Sequence, residues 1–246
     1  MEARLDVAND MENNGERSVQ RVALSGATNG KLTIFDVGAN VGEWSEAMLS
    51  AASPSDSLEI HVFEPTSATF AALSRRLGAN AHVKLVNQGA SDIPGRKEMI
   101  IAGSGLGTNS LHGERDKAQA VELAEFTTVD EYCKREGISA VTLLKIDTEG
   151  HDLAVLRGAK EMFGRHAIGM AQFEYNQRWI DSRSLLRDAF ELLLPLGYRL
   201  GKVTPRGIEF YPQWHFELES YREANLLACT PEWAVRLPQV KWWMSS

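Results

Sequence analysis

The stretch Leu32-Thr33-Ile34-Phe35-Asp36-Val37-Gly38-Ala39-Asn40-Val41-Gly42, with its sequel Ile60-His61-Val62-Phe63-Glu64-Pro65, decides the fold. Each piece is a short apolar run stopped by a carboxylate, and Glu43 to Ala52 between them reads as a helix. An apolar run without alternation suits a strand buried on both faces of a parallel sheet. The unit is therefore strand, loop, helix, strand. Gly38 and Gly42 permit backbone angles closed to other residues and let a ligand approach the main chain. Free N–H groups at the helix start favour an anionic group there. Glu64 follows by about 20 residues, where dinucleotide folds place an acid on the ribose hydroxyls. The stretch reads as an adenosine site.

Glycine spacing separates the folds that use such a site. Nicotinamide and flavin proteins favour G-x-G-x-x-G, whereas this chain has Asp36-x-Gly38-x-x-x-Gly42 with Asn40 in the middle. A pyrophosphate is repelled by a carboxylate in its cradle. The ammonium of an amino acid is attracted by one. Asp36 thus points to S-adenosylmethionine, whose methionine end carries an amine. The alternative is a strand-end aspartate that caps the helix.

A chain of 246 residues, 43% of them hydrophobic, fits one α/β domain with a sizeable core. The expected division is residues 1–25 as a frayed tail or a helix over the cofactor, and 26–246 as the domain. A net charge of −7 argues against nucleic acid as a partner. Cys133 and Cys229 stand far apart without a metal-ligand spacing, which suits reduced thiols in the cytoplasm. The polar, acidic start has no apolar core of a secretory leader, and no run is long enough for a membrane span.

Along the chain, Ser67 is the expected cap of a helix that shows Phe70, Leu73 and Leu77 on one face and ends at Gly78. Val83 to Asn87 reads as a third strand. Its exit, Gln88-Gly89-Ala90-Ser91-Asp92, lies where doubly wound sheets keep ligand contacts, so Ser91 and Asp92 are assigned to the adenine edge. Lys97–Ala102 and Phe126–Val129 read as short strands, with a glycine-rich loop from Gly103 to His112 between them as a loop near the site or a linker. Val141 to Asp147 is a second apolar strand, and Ile168 to Asn176 is another, ending in polar groups that include Glu174. Ser182 or Ser184 is the expected cap of a helix over Leu185–Leu194. Segments 198–202, 207–211 and 225–228 read as antiparallel additions at the C-terminal edge of the sheet. Trp214 and His215 lie in an expected substrate loop. Trp233, Trp242 and Trp243 suit core packing or a homodimer contact.

Phe35 to Gly42, Val62 to Pro65, Leu144-Lys145-Ile146-Asp147-Thr148-Glu149-Gly150 and Phe173-Glu174-Tyr175-Asn176 together resemble the FkbM family of S-adenosylmethionine-dependent methyltransferases. The likeness runs from about Thr33 to Ala228. It implies the class I methyltransferase fold, a Rossmann-like, doubly wound, mostly parallel sheet. It also implies O-methylation of a hydroxyl, with a small-molecule or glycan acceptor such as a sugar or secondary metabolite.

Methyl transfer from a sulfonium needs oxygen, methyl and sulfur in line, and a base within reach of the hydroxyl proton. Asp147 is the first candidate for that base, Glu174 the second, and Glu149 holds the loop or assists. His215 is a candidate because imidazole titrates in the useful range, while His151 reads as a cap or surface group. Asp36, Gly38, Asn40, Gly42, Glu64, Ser91 and Asp92 form the expected cofactor set. A competing reading places a divalent ion on Asp147, Glu174 and Asn176, similar to catechol O-methyltransferases. The rival functions are a nicotinamide-dependent oxidoreductase and an inactive nucleoside-binding subunit.

Overall fold

The computed structural model describes residues 10–26, 30–53, 57–102, 109–112 and 118–241. Within the N-terminal segment, Glu16–Leu24 form a helix, α1, with Val19 and Ala23 fully buried. β1 (Leu32–Val37) follows, buried at every position, then α2 (Glu43–Ala51), β2 (Leu58–Phe63), α3 (Ser67–Leu77) and β3 (Val83–Val86). β4 (Gly89–Ala90), β5 (Gly95–Ile101) and β6 (Ala120–Thr127) make a separate small sheet in the order β4-β6-β5. α4 (Val129–Glu136) leads into β7 (Val141–Ile146), α5 (Asp152–Arg157), α6 (Lys160–Gly164) and β8 (Ile168–Tyr175). α7 (Arg178–Asp181), α8 (Leu186–Leu193), β9 (Arg199–Thr204), β10 (Gly207–Tyr211), β11 (Ala224–Cys229), α9 (Pro231–Ala234) and β12 (Gln239–Val240) complete the described elements.

Nine of these strands pair in the order β12-β10-β9-β11-β8-β7-β1-β2-β3. From β8 to β3 every pairing is parallel. β11 runs antiparallel between β8 and β9, and β10 antiparallel to β9. The expected antiparallel strands are therefore present, but β11 sits inside the sheet with Leu227, Ala228 and Cys229 fully buried. Pleating sends alternate side chains to opposite faces. Phe35, Val37, Leu144 and Ile146 join one core, and Ile34, Leu143 and Met170 join the other.

Chain order reverses at β1, which lies between β2 and β7, and such a switch point opens a ligand crevice at the strand ends. Register sets Val37 level with Phe63 and Ile146, and Ile146 level with Phe173. The carboxylates one residue further on, Glu64, Asp147 and Glu174, therefore leave the sheet along one edge. Gly38 is held at φ 82° because the exit of β7 lies against it: the Asp147 N–H donates to the Val37 carbonyl at 2.9 Å. A Cβ on Gly38 would collide with the Asp147 carbonyl oxygen.

Two expected caps are replaced by distant carboxylates. Thr66, not Ser67, precedes α3, and the Ser67 N–H donates to Glu122 at 2.8 Å. Neither Ser182 nor Ser184 caps α8; Glu219 accepts from the Leu186 and Arg187 N–H groups at 2.7 and 3.1 Å. β6 also begins well before the expected Phe126, because apolar Val121 and Leu123 are exposed while Glu122 shares the face of Ala124 and Phe126, which hides the strand pattern, and Val129 already belongs to α4. Trp233 packs against Gly26 and Gly169, while Trp242 and Trp243 lie outside the described residues.

Candidate active site

Two clefts meet over the ends of β1 and β7, sharing Gly38, Asn40 and Asp147. The first passes Glu64, Pro65, Thr69 and Ala90 towards Met99 and Phe126 of the small sheet. The second is walled by Asp36, Trp44 and Lys145, with Asp10 and Glu16 from the N-terminal segment.

Glu64 follows β2 and accepts hydrogen bonds on both oxygens. Oε1 accepts from the Thr66 N–H at 3.0 Å and its hydroxyl at 2.6 Å; Oε2 accepts from the Asn40 N–H at 3.2 Å. Asn40 can present that N–H because it adopts φ 50°, a left-handed angle that asparagine tolerates. Burial raises the Glu64 pKa, and these donors oppose the rise. Asp36 is buried and accepts from the Ser45 hydroxyl at 2.6 Å. Its burial lifts the pKa to about 6, held down in part by Ser45 and then by Lys145.

Four acids crowd the β7 and β8 exits. Asp147 Oδ2 accepts from the Lys145 ammonium at 3.0 Å, and Glu149 Oε2 faces Arg178 Nε at 2.5 Å. Burial and then Asp147 raise Glu149 to about 7, and the same two causes raise Asp152 to about 7. Glu174, buried and beside Asp147 and Asp152, is pushed far above the usual carboxylate range. Burial alone would lower the Lys145 pKa, but Asp147, Glu16 and Glu174 outweigh it and keep the ammonium charged.

Several expected residues fall elsewhere. Gly42 lines neither cleft; the space of its missing Cβ is taken by Leu73 and Leu77 of α3, so it serves helix packing. Ser91 is fully buried and Asp92 exposed, and neither lines the first cleft. Ala90 and Gly89 do, because the chain at β4 turns Ser91 inward to His151 at 2.9 Å. His151 takes the N-cap position of α5, as expected, but its side chain makes no capping bond: its ring joins Ser91 to His112 at 3.1 Å and lines the first cleft. Burial, then His112, lowers its pKa to about 4. His215 lines neither cleft; its Nδ1 accepts from the Glu217 N–H at the turn Phe216–Leu218. Of the glycine-rich loop, 103–108 lie outside the described residues, while Asn109 and Leu111 line the first cleft.

Sequence reasoning missed Lys145, Asp152 and Thr69. A lysine inside Leu143-Leu144-Lys145-Ile146 was a visible signal, since a charge in a fully buried strand demands partners. Asp152 and Thr69 gave none, as both are ordinary residues of a first helical turn.

Among the described residues, Asp147, Glu149 and Glu174 offer oxygens within 4.8 Å of one another. As an ion site the set fits poorly. Lys145 and Arg178 already neutralise two of its members. Asn176 is spent as well, donating to Glu174 at 2.7 Å and accepting from the Arg178 N–H.

Strand order and crevice define a class I methyltransferase fold. The profile of the methyltransferase FkbM domain matches residues 36–200, and the chain belongs to that family of S-adenosylmethionine-dependent methyltransferases. The nicotinamide-dependent reading falls with this match. The methyltransferase FkbM from Methylobacillus flagellatus KT is similar at 17% identity and TM-score 0.51, over 80% of this chain and 43% of that one. The chain thus spans less than half the length of that relative. N-methyltransferase NodS from Bradyrhizobium japonicum WM9, in complex with S-adenosyl-L-homocysteine, aligns at 13% identity and TM-score 0.44 over 94% and 95%. An rRNA methylase from Streptococcus thermophilus aligns at 10% identity and TM-score 0.44 over 86% and 94%. That match overturns the exclusion of nucleic acid drawn from net charge, because a chain of similar fold is named for ribosomal RNA. No curated protein matches the sequence significantly. Among the described residues no helix is long and apolar enough to cross a membrane.

Proposed function

We propose that the protein is an O-methyltransferase that methylates a hydroxyl of a sugar or a glycosylated or secondary metabolite. The observation that carries this reading is the position of Asp147, shared by both clefts and fixed on one oxygen by Lys145. S-adenosylmethionine supplies a methyl group on a sulfonium, an electrophile that an oxygen attacks in line. The residues present fit it: Glu64 takes the ribose hydroxyls, Gly38 and Asn40 back the main-chain side, and Asp36 faces the amine. Asp147 stands where the two clefts join and orients or deprotonates the acceptor hydroxyl. Glu174, whose carboxyl is pushed up by burial and then by Asp147, accepts from the Asn176 amide at 2.7 Å and stands second to Asp147 as a base. Glu149, tied to Arg178, holds the loop. No ion enters this scheme.

The test is methyl transfer from radiolabelled S-adenosylmethionine to a panel of sugars, other alcohols, amines and RNA. A methyl ether as product is expected. An N-methyl product, or turnover confined to RNA, overturns the assignment, and no turnover on any acceptor favours the inactive-subunit reading. Enzyme dialysed against EDTA is expected to keep full activity; loss restored by Mg²⁺ would return the ion to the mechanism.

A further inference from the structure

Thr69 lies in the first turn of α3, is 2% exposed and lines the first cleft between Glu64 and the small sheet. Its hydroxyl has no hydrogen-bond partner in the protein. A threonine in a helix ordinarily bonds back to a carbonyl three or four residues earlier. Here it makes neither bond: Thr66 O accepts from the Phe70 N–H at 2.8 Å and Pro65 O from Asn87 Nδ2 at 3.3 Å, and the Thr69 hydroxyl joins neither carbonyl. Glu64, which lines the same cleft, accepts from Thr66 and Asn40 and not from Thr69. A buried hydroxyl without a partner costs free energy, and native proteins leave few of them.

We infer that Thr69 is a further cofactor-binding residue whose hydroxyl takes its hydrogen bond from, or gives it to, the nucleoside half of S-adenosylmethionine. The inference rests on the reading of the first cleft as the nucleoside site. Thr69 lines that cleft and not the second, so the contact belongs to ribose or purine rather than to the methionine end. A hydroxyl both donates and accepts, which suits a ribose hydroxyl or a purine ring nitrogen equally. The free protein carries an unmet group that the ligand satisfies, so one substitution acts with opposite sign on the two states. Thr69→Val keeps the shape and removes the hydroxyl. It relieves the free protein and deprives the complex.

The experiment measures affinity for S-adenosylhomocysteine and for 5′-methylthioadenosine, which lacks the amino-acid end, together with the melting temperature of the free protein. For Thr69→Val both ligands are expected to bind roughly 3–10-fold more weakly, the worth of one neutral hydrogen bond, while the free protein melts at or above wild type. Thr69→Ser restores the hydroxyl and is expected to bind both within about 3-fold of wild type. Equal binding by Thr69→Val overturns the inference, as does a loss seen with S-adenosylhomocysteine alone. A loss accompanied by a lowered melting temperature, and shared by Thr69→Ser, assigns the residue to packing and also overturns it. If wild type binds neither ligand, the reading of the cleft itself fails, which is a separate result.

Discussion

On the β2 side of the crevice one carboxylate, Glu64, has both oxygens filled by donors from Thr66 and Asn40. On the β7 and β8 side, Asp147, Glu149, Asp152 and Glu174 share two cations, Lys145 and Arg178. The first carboxylate is satisfied locally by neutral hydrogen-bond donors of the turns beside it. The second carries more acid than cation, and burial together with the crowding of like charges raises the pKa values of Glu149, Asp152 and Glu174. On the proposed reading the first side binds a neutral nucleoside, which needs donors and acceptors fixed in advance, and the second activates a hydroxyl, which needs a charge able to respond to a developing one.

The largest effect expected from breaking this contrast is at Asp147. Asp147→Asn should slow single-turnover methyl transfer by about 10²–10⁴-fold, with S-adenosylhomocysteine affinity nearly unchanged, because the contribution is made in the transition state. Normal transfer by a less stable mutant would make Asp147 a structural residue only. Lys145→Met comes next. It strands buried acids without their cation, and urea titration should show a loss of about 3 kcal/mol, the low end for a broken buried pair because Asp147 is partly exposed. Glu64→Ala should weaken S-adenosylhomocysteine by roughly 1–3 kcal/mol in calorimetry, the range for charge-assisted hydrogen bonds. Unchanged affinity would remove Glu64 from the ribose.

The smallest effect is on pH. Glu149, Asp152 and Glu174 have folded pKa values raised above their unfolded ones, so the folded state binds more protons. Their contribution to stability is complete below the unfolded carboxylate range and is lost as pH rises through the folded values. His61, His112 and His151 are shifted down and oppose this trend below about pH 6.5, where unfolded histidine titrates. The melting temperature should therefore fall as pH is raised from about 6.5 to 8. Glu149→Gln should flatten that slope, and a slope that persists unchanged would exclude Glu149 as a source.

The same contrast explains what the sequence made legible. Asp36 to Gly42 and Glu64 work through backbone turns and strand ends, and local pattern reports both. Gly42 was misread because glycine marks a close approach without naming the neighbour, here α3 rather than a ligand. Ser91 was one residue from the cleft wall, a distinction set by which way a two-residue strand faces. The acid cluster depends on Lys145, Arg178 and Asp152, whose proximity comes from register between β7 and β8 and from α5 and α7. No spacing along the chain records it. Val121 and Leu123 of β6 are exposed, so the period that betrays a buried strand is blurred there.

Glu219 has a consequence for the order in which the molecule comes apart. Its carboxylate accepts from the Leu186 and Arg187 N–H groups, the Tyr175 hydroxyl and the Trp214 indole, joining partners 5 to 44 residues away. Helix start, strand end and the 212–223 segment are thus fastened at one knot. Local opening of a fold proceeds in cooperative units, and a shared fastener makes these three into one. Amides of Leu186 and Arg187 should exchange with solvent at the pace of the 212–223 segment, not of the remainder of α8. Substitutions in that segment that keep Glu219 should leave the protection of those two amides unchanged.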